Sequence, residues 1–159
     1  MLKLDKFDIA ILETLQKNGR ITKLELSQQI GLSQTPCYSR IKRLEQHKLI
    51  QRYRAEVDLA RVARFTTIFV TVILERHQAA DFQQFEREVK NHPQIVECHA
   101  LGGGIDYLLK IVETDIEKYQ ELIESLLEAP ARIGQYYTYV VTKSVVTDRG
   151  LPISHLLET

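Results

Sequence analysis

The chain has 159 residues, of which 44% are apolar and 26% charged, so it is long enough and apolar enough to bury a core without disulfides. Its 21 basic and 21 acidic residues cancel, which excludes a uniformly basic or acidic binding protein. No apolar run approaches the ~20 residues that a membrane-spanning helix needs.

The cysteines and the first residues favour a cytoplasmic protein. Cys37 and Cys98 are too far apart to indicate a disulfide framework or a metal site. The first fifteen residues lack the basic start and unbroken apolar stretch of a signal peptide. We therefore expect a cytoplasmic protein without cofactor or metal.

The first sixty residues begin with two predicted helices. Asp5 can cap the first helix, with Asp8 three positions later, and Asn18-Gly19 can end it. Thr22 and Glu25 have the spacing of a capping box at the start of the second helix. Gly31 suits the left-handed position just past that helix.

A third helix follows a short turn. Ser33 is its predicted cap, Pro36 lies in its first turn, and Cys37, Ile41 and Leu44 have the spacing of a buried face. Two helices joined by a glycine turn, the second with polar residues directed outwards, are typical of a helix-turn-helix. Its candidate DNA contacts are Ser33, Gln34, Thr35, Pro36, Tyr38, Arg40, Lys42 and Arg43.

Beyond the third helix, period-two alternation over residues 53–59 predicts a strand, either a wing or part of a dimer contact. It would place Arg52 and Arg54, two further candidate DNA contacts, on one side.

Charge supports a DNA-reading interpretation. Residues 1–60 hold 11 basic and 7 acidic residues, whereas residues 61–159 hold 10 and 14. Residues 38–54 contain six basic residues and only one acidic residue, Glu45. Short polar groups at the start of a helix can reach base edges, and guanidinium groups match phosphate and guanine. The alternatives are a solvated basic face and a three-helix packing module that binds no nucleic acid.

Residues 61–159 read as strand, helix, two strands, helix, strand. Strands are predicted over 66–74, 95–101, 107–112 and 133–141, and a helix over 81–91. Thr114 and Glu117 have capping-box spacing before a second helix, whose apolar stripe would be Ile116, Tyr119, Ile123 and Leu126. The βαββαβ order is that of a ferredoxin-like fold. The predicted class is therefore α+β, a winged helix-turn-helix domain over 1–60 followed by a ferredoxin-like domain over 61–159.

In such a fold the helices cover one face of the sheet. The residues of the other face are largely apolar here, and a second copy of the sheet would cover them. We therefore expect a homodimer formed sheet to sheet through the second domain.

The loop Gly102-Gly103-Gly104-Ile105-Asp106 is the one unusual feature of this half. Glycine amides without Cβ crowding can hold a carboxylate, and Asp106 can pair with an ammonium group. The loop could thus grip an amino-acid backbone, although a plain hairpin loop is the alternative. Cys98 and His99 would point to opposite faces of their strand, which argues against a catalytic dyad.

Several motifs together resemble one family. The chain has Gly31-Leu32-Ser33, Thr35-Pro36-Cys37 and Arg43-Leu44-Glu45 in the first half, then Glu97-Cys98-His99 and Asp106-Tyr107-Leu108-Leu109-Lys110 in the second. These motifs, in this order over nearly the whole chain, resemble the Lrp/AsnC (feast/famine) family.

The resemblance implies a bacterial or archaeal transcription regulator that binds double-stranded DNA and is not an enzyme. It implies dimers that assemble into octamers, and a C-terminal (RAM) domain that binds a small effector, usually an amino acid, between domains. The matching effector positions are Leu101, Gly102, Gly103, Gly104, Asp106, Tyr136 and Thr138.

The chain departs from the family pattern at two of these positions. Gly104 replaces an acidic residue of leucine-responsive members, which disfavours a basic effector, and Tyr136 replaces a smaller polar residue. Two other classes stay open. One is a sensor whose helix-turn-helix contacts protein, and the other is a small enzyme built around Asp106 and His99.

Overall fold

A computed structural model describes residues 2–130, 132–147 and 150–157. The chain forms two units, one of Met1–Val57 with Val146–Thr159 and the other of Asp58–Val145. The structure thus groups the tail with the first unit, whereas the sequence placed it in the second domain. The predicted domain ends at Met1 and Thr159 lie outside the described residues.

Three helices build the first unit: α1 (Lys6–Lys17), α2 (Lys23–Ile30) and α3 (Gln34–Gln46). The predicted cap at Asp5 and the predicted capping box of Thr22 and Glu25 are confirmed. Asp5 accepts from the amides of Phe7 and Asp8, and the hydroxyl of Thr22 accepts from the amide of Glu25. The three helices enclose a core of Ile11, Leu12, Leu26, Cys37, Ile41 and Leu44.

The tail packs on α1. Leu151 N–H donates to Gln16 Oε1 at 2.8 Å, and Gln16 Nε2 donates to the Leu151 carbonyl at 3.2 Å. In the short helix α6 (Ile153–Leu157), the amide of Ser154 donates to Glu13 at 3.1 Å, and Ile153 packs against the helical core. The bonds from Ser154 hold the pKa of Glu13 below its usual value.

The strand predicted over 53–59 is wrong. Residues 51–58 have no regular secondary structure, and a single 3₁₀ turn follows at Leu59–Arg61. Tyr53 is instead held by the three-helix unit, because its hydroxyl donates to Glu45 at 2.9 Å. Burial, and to a smaller extent the hydrogen bond to Glu45, raises the pKa of Tyr53 to about 12. The alternating pattern was present, but these residues pair with no neighbouring strand in the described chain.

The second unit has the predicted ferredoxin-like order. Its strands are β1 (Thr66–Leu74), β2 (Ile95–Ala100), β3 (Tyr107–Glu113) and β4 (Ile133–Val140), and its helices are α4 (Ala79–Val89) and α5 (Ile116–Glu128). The antiparallel sheet has the order β2-β3-β1-β4. The predicted fold class is confirmed.

Strand alternation decides which residues enter this core. Val70 is opposite Leu109 in β3 and Thr138 in β4, so these residues share the face that the helices cover. The core contains Ile68, Val70, Val72, Leu74, Phe85, Val89, Tyr107, Leu109, Ile111, Tyr119, Leu122, Ile123 and Leu126. Cys98 pairs with Leu109 and His99 with Leu108, so the two lie on opposite faces as predicted.

Three local predictions need correction. The cap of α5 is Asp115, which accepts from the amide of Lys118, rather than Thr114. This shift of one residue makes Ile116 the first helical residue, where it is 56% exposed and not part of the core. Ser33 precedes α3 as predicted, but its hydroxyl makes no capping hydrogen bond.

Alanine substitutions at two adjacent leucines of α5 test which residues form the core of the second unit. Leu126→Ala should lower the free energy of unfolding by about 2–5 kcal/mol because it leaves a cavity among buried side chains. Leu126 is 1% exposed, whereas Leu127 is 39% exposed. Leu127→Ala makes the same change of helix propensity and should cost much less. Urea titrations followed by circular dichroism would measure both. Equal losses would contradict this assignment of the core.

Candidate nucleic-acid interface and effector loop

The outward surface of α3 is polar along its length. With Cys37, Ile41 and Leu44 buried, the helical period turns another set of side chains to solvent. We call this set the outer α3 face; its residues are Gln34, Thr35, Tyr38, Ser39, Lys42, Glu45 and Gln46. Ser39 and Gln46 were missed from sequence, although both follow from the positions of the buried residues.

A lysine from α2 adds to this face. The ammonium group of Lys23 lies 3.9 Å from the ring centroid of Tyr38, which is 46% exposed. This is a cation–π contact between the two helices of the helix-turn-helix. It places a cation beside the outer α3 face that no motif predicted.

The turn before α3 depends on one glycine. Gly31 ends α2 in the left-handed conformation, with φ 71° and ψ 35°. Ser33 and Pro36 follow it, and both are exposed beside the outer α3 face.

Two predicted phosphate contacts are placed differently. Arg40 Nη1 donates to Asp8 Oδ1 at 2.8 Å and lies 2.8 Å from Asp5 Oδ2, and Arg43 Nη2 donates to Asp8 Oδ2 at 2.6 Å. The bonds to Asp8 and then Asp5 raise the pKa of Arg40. Asp8 is 1% exposed. The structure therefore directs both arginines to α1 and not to the outer α3 face.

The other predicted cations are free of such partners among the described residues. Lys42 is exposed on the outer α3 face, and Arg52 and Arg54 are exposed in the irregular segment 51–58. No salt bridge within the described chain involves any of the three. Cations in this setting are available for phosphate oxygens.

In the second unit, the glycine loop is open. Leu101 and Gly102–Gly104 are exposed, and a Cβ built on any of these three glycines would meet nothing within 4 Å. The amide of Leu101 donates to the carbonyl of Asp106 at 2.8 Å, which closes the loop. The described residues therefore leave the tip of the loop uncovered.

Asp106 lies between the loop and β1. Its Oδ2 accepts from the amide of Leu74 at 2.8 Å and lies 3.0 Å from His77 Nε2. Its side chain is 16% exposed, and Oδ1 has no hydrogen bond within the described residues. His77 was not predicted; it follows the end of β1, which an antiparallel sheet places beside the start of β3.

The two candidate residues on β4 lie across β1 from the loop. Val72 pairs with Tyr136, and its carbonyl accepts from the amide of Asp106 at 2.9 Å. One strand therefore separates Tyr136 from Asp106, roughly 10 Å at normal strand spacing. Tyr136 packs against the core, and the hydroxyls of Thr138 and Tyr119 are hydrogen-bonded. Burial raises the pKa of Tyr119.

Two general properties hold for the described residues. They contain no group of three or more His, Cys, Asp or Glu side chains placed to hold a metal ion. None of their helices is both long and apolar enough to cross a membrane.

A helix-turn-helix unit joined to a ferredoxin-like unit with a candidate ligand loop defines a ligand-responsive DNA-binding regulator. Comparison with known protein families supports this class of protein. Residues 4–51 match the family model described as winged helix-turn-helix DNA-binding, and residues 67–151 match that of the Lrp/AsnC ligand binding domain. The chain belongs to the Lrp/AsnC family and is a transcriptional regulator of that type.

Similar proteins cover nearly the full chain. The transcriptional regulatory protein DoeX of Halomonas elongata is 42% identical over 144 residues, 91% of each chain. The leucine-responsive regulatory protein of Escherichia coli is 40% identical over 151 residues, 94% of this chain and 92% of its own. The structure of transcriptional regulator NMB0573 of Neisseria meningitidis in complex with L-Met has a TM-score of 0.90 at 33% identity, covering 98% and 100% of the two chains.

The turn glycine can be tested by substitution. Gly31→Ala should destabilise the protein by about 1–2 kcal/mol because a Cβ disfavours the left-handed conformation. Gly104→Ala is the control, since its Cβ meets nothing and its φ is not left-handed. Urea titration of both variants provides the measurement. An unaltered stability of Gly31→Ala would show that the turn adapts.

Proposed function

We propose that the uncharged residues of the outer α3 face read base edges in the DNA major groove, with Lys42, Arg52 and Arg54 on phosphates. The observation that carries this proposal is the outer α3 face itself: polar, exposed and continuous over one side of a helix whose other side is buried. The dimensions of the major groove admit one such helix. Two copies, one from each protomer of a dimer, would meet successive grooves of a partly palindromic site.

The dimer belongs to the same proposal. Its contact would be the sheet face that α4 and α5 leave uncovered, which carries Phe69, Ile73, Leu108 and two tyrosines. Tyr137 and Tyr139 are 49% and 55% exposed there. Burial of aromatic side chains against a second copy of the sheet is favourable. Further association into an octamer would place several readers on one DNA segment.

The effector of this proposal is an amino acid with an uncharged side chain. The loop of residues 101–106 supplies backbone amides for a carboxylate and Asp106 for an ammonium group. No second acidic side chain lies within the loop, so a basic side chain would have no partner there. The L-Met complex of the Neisseria regulator and the leucine-responsive relatives support this class of ligand. Because the loop is open in one chain, a second copy would complete the pocket.

Binding to a selected duplex tests this function. A 30-base-pair random pool would be enriched by repeated binding to the full-length protein, and the enriched duplex compared with a scrambled one by fluorescence anisotropy. Preference for the enriched duplex, altered by leucine or methionine but not by lysine, is the expected result. Equal affinity for both duplexes would refute DNA reading, and no amino-acid response would refute the effector assignment.

Lys42 provides the first quantitative prediction. Lys42→Gln should weaken binding to both duplexes alike and reduce the slope of log K against log salt by about one, because one phosphate contact is lost. Lys90→Gln removes an exposed lysine of the second unit and should leave the slope unaltered. A loss confined to the enriched duplex would instead make Lys42 a base contact.

Asp106 provides a second prediction, which concerns the response to amino acids. Asp106→Asn should abolish the amino-acid response and preserve DNA affinity in its absence. The amide oxygen can still accept from the Leu74 amide, and the backbone bond from Leu101 to Asp106 that closes the loop is not altered, but the charge that attracts an ammonium group is gone. Anisotropy titrations with and without amino acid would measure both effects. A retained response would exclude Asp106 from the pocket.

A further inference from the structure

The basic charge around α3 is not all available to DNA. Arg40 and Arg43 account for two of the six basic residues between positions 38 and 54. Their side chains are 26% and 42% exposed, but their guanidinium groups are hydrogen-bonded to a carboxylate that is 1% exposed. The charge that the sequence offers to DNA is therefore larger than the charge that the fold exposes.

The carboxylate of Asp8 is fixed from both sides. Asp8 Oδ2 accepts from the amide of Asp5 at 3.1 Å, as part of the capping box, and from Arg43 at 2.6 Å. Asp8 Oδ1 accepts from Arg40 at 2.8 Å. Because the capping box ties this carboxylate to the α1 backbone, it cannot follow the arginines towards another partner without breaking the start of α1.

Arg40 has further contacts on α1. It lies 2.8 Å from Asp5 Oδ2, and its guanidinium carbon is 5.5 Å from the ring centroid of Phe7. Each of these partners of the Arg40 guanidinium group in the described chain thus belongs to the first turn of α1 or its cap. Arg43, three residues later, is bonded to the same turn. Two contacts almost one helical turn apart fix the rotation of α3 about its own axis.

Withholding these arginines has a consequence for selectivity. Contacts to phosphate give affinity for any sequence, whereas contacts to base edges discriminate between sequences. Each added phosphate contact steepens the salt slope by about 0.9, which is roughly tenfold in affinity near 0.1 M salt. Two free arginines beside the outer α3 face would therefore favour non-specific DNA.

We propose that Asp8 is a specificity-determining positioning residue. Its ion pairs with Arg40 and Arg43, which we call the clamp, withhold both arginines from the DNA backbone and hold α3 in the rotation that presents the outer α3 face. The inference rests on the proposed reading of DNA by α3. It departs from the sequence-based prediction, in which both arginines bind phosphate or guanine.

Three single variants separate these two roles. Asp8→Asn removes the charge that pairs with both arginines, so that Arg43 loses its ion-pair partner and Arg40 retains only Asp5. Arg43→Gln removes one of the two arginines, and Lys42→Gln removes a neighbouring cation that Asp8 does not hold. Each full-length variant would be titrated with the enriched duplex and the scrambled duplex at several salt concentrations, after circular dichroism has shown its helix content.

The clamp predicts a distinct result for each variant. Asp8→Asn should bind the scrambled duplex about tenfold more tightly at 0.1 M salt, with a salt slope steeper by about one, because Arg43 becomes available to phosphate. Its preference for the enriched duplex should fall at least tenfold. Arg43→Gln should lose preference for the enriched duplex over the scrambled one, and its slope of log K against log salt should not become shallower. For Lys42→Gln that slope should be shallower by about one. Simple destabilisation of α3 would weaken binding without steepening the slope.

The same measurements can overturn the clamp. A slope for Arg43→Gln that is shallower by about one, as for Lys42→Gln, would make Arg43 a phosphate contact. An unaltered preference and slope for Asp8→Asn would also refute the proposal. If Asp8→Asn does not fold, the salt slope of Arg43→Gln alone decides whether Arg43 contacts phosphate. If the wild-type protein enriches no duplex, the proposed DNA reading fails, and the clamp fails with it.

Discussion

A carboxylate removed from water must be paired, and in the first unit that carboxylate is Asp8. A buried charge without partners costs several kcal/mol, so the position of Asp8 inside the helix-turn-helix requires cations from a neighbouring element. Arg40 and Arg43 meet that requirement, and in doing so they join α3 to the start of α1. The apolar core would allow α3 some freedom to rotate, because hydrophobic contact is not directional. In the role proposed for Asp8, the ion pairs remove that freedom.

The second unit follows a different constraint, which is that a sheet has two faces and two helices can cover only one. Alternation along β1 sends Ile68, Val70, Val72 and Leu74 under the helices and leaves the opposite side chains uncovered. The candidate ligand loop lies where β2 joins β3, at the end of the sheet reached by Leu74. Its three glycines contribute backbone without side chains, so another surface must supply the walls of any pocket.

Much of this architecture follows from sequence because it depends on local patterns. The β1 boundaries, the two capping boxes of the first unit and the turn at Gly31 each involve residues only a few positions apart. The exceptions depend on partners that a local pattern does not contain. Residues 53–59 alternate, yet they pair with no strand in the described chain. Asp115 and Thr114 are both able to cap a helix, and only the fold decides between them.

The arginines show the same limit in the candidate site. A count of charged residues includes both arginines, but the carboxylate that pairs with them belongs to another helix. It is 32 positions from Arg40 and 35 positions from Arg43. Asp8 already had an evident role in its own capping box, so nothing local indicated a second one. His77 and the Leu74 amide near Asp106 likewise come together only through strand pairing.

The contact between the tail and α1 has a consequence for biosynthesis. The first unit is discontinuous: its helices come from Met1–Val57, but Leu151, Ile153 and Ser154 arrive from beyond the second unit. A ribosome must therefore translate the whole of Asp58–Val145 before α1 can receive its last contacts. The three-helix core can form early on the nascent chain, but the face of α1 around Glu13 and Gln16 stays in water until the second unit has emerged.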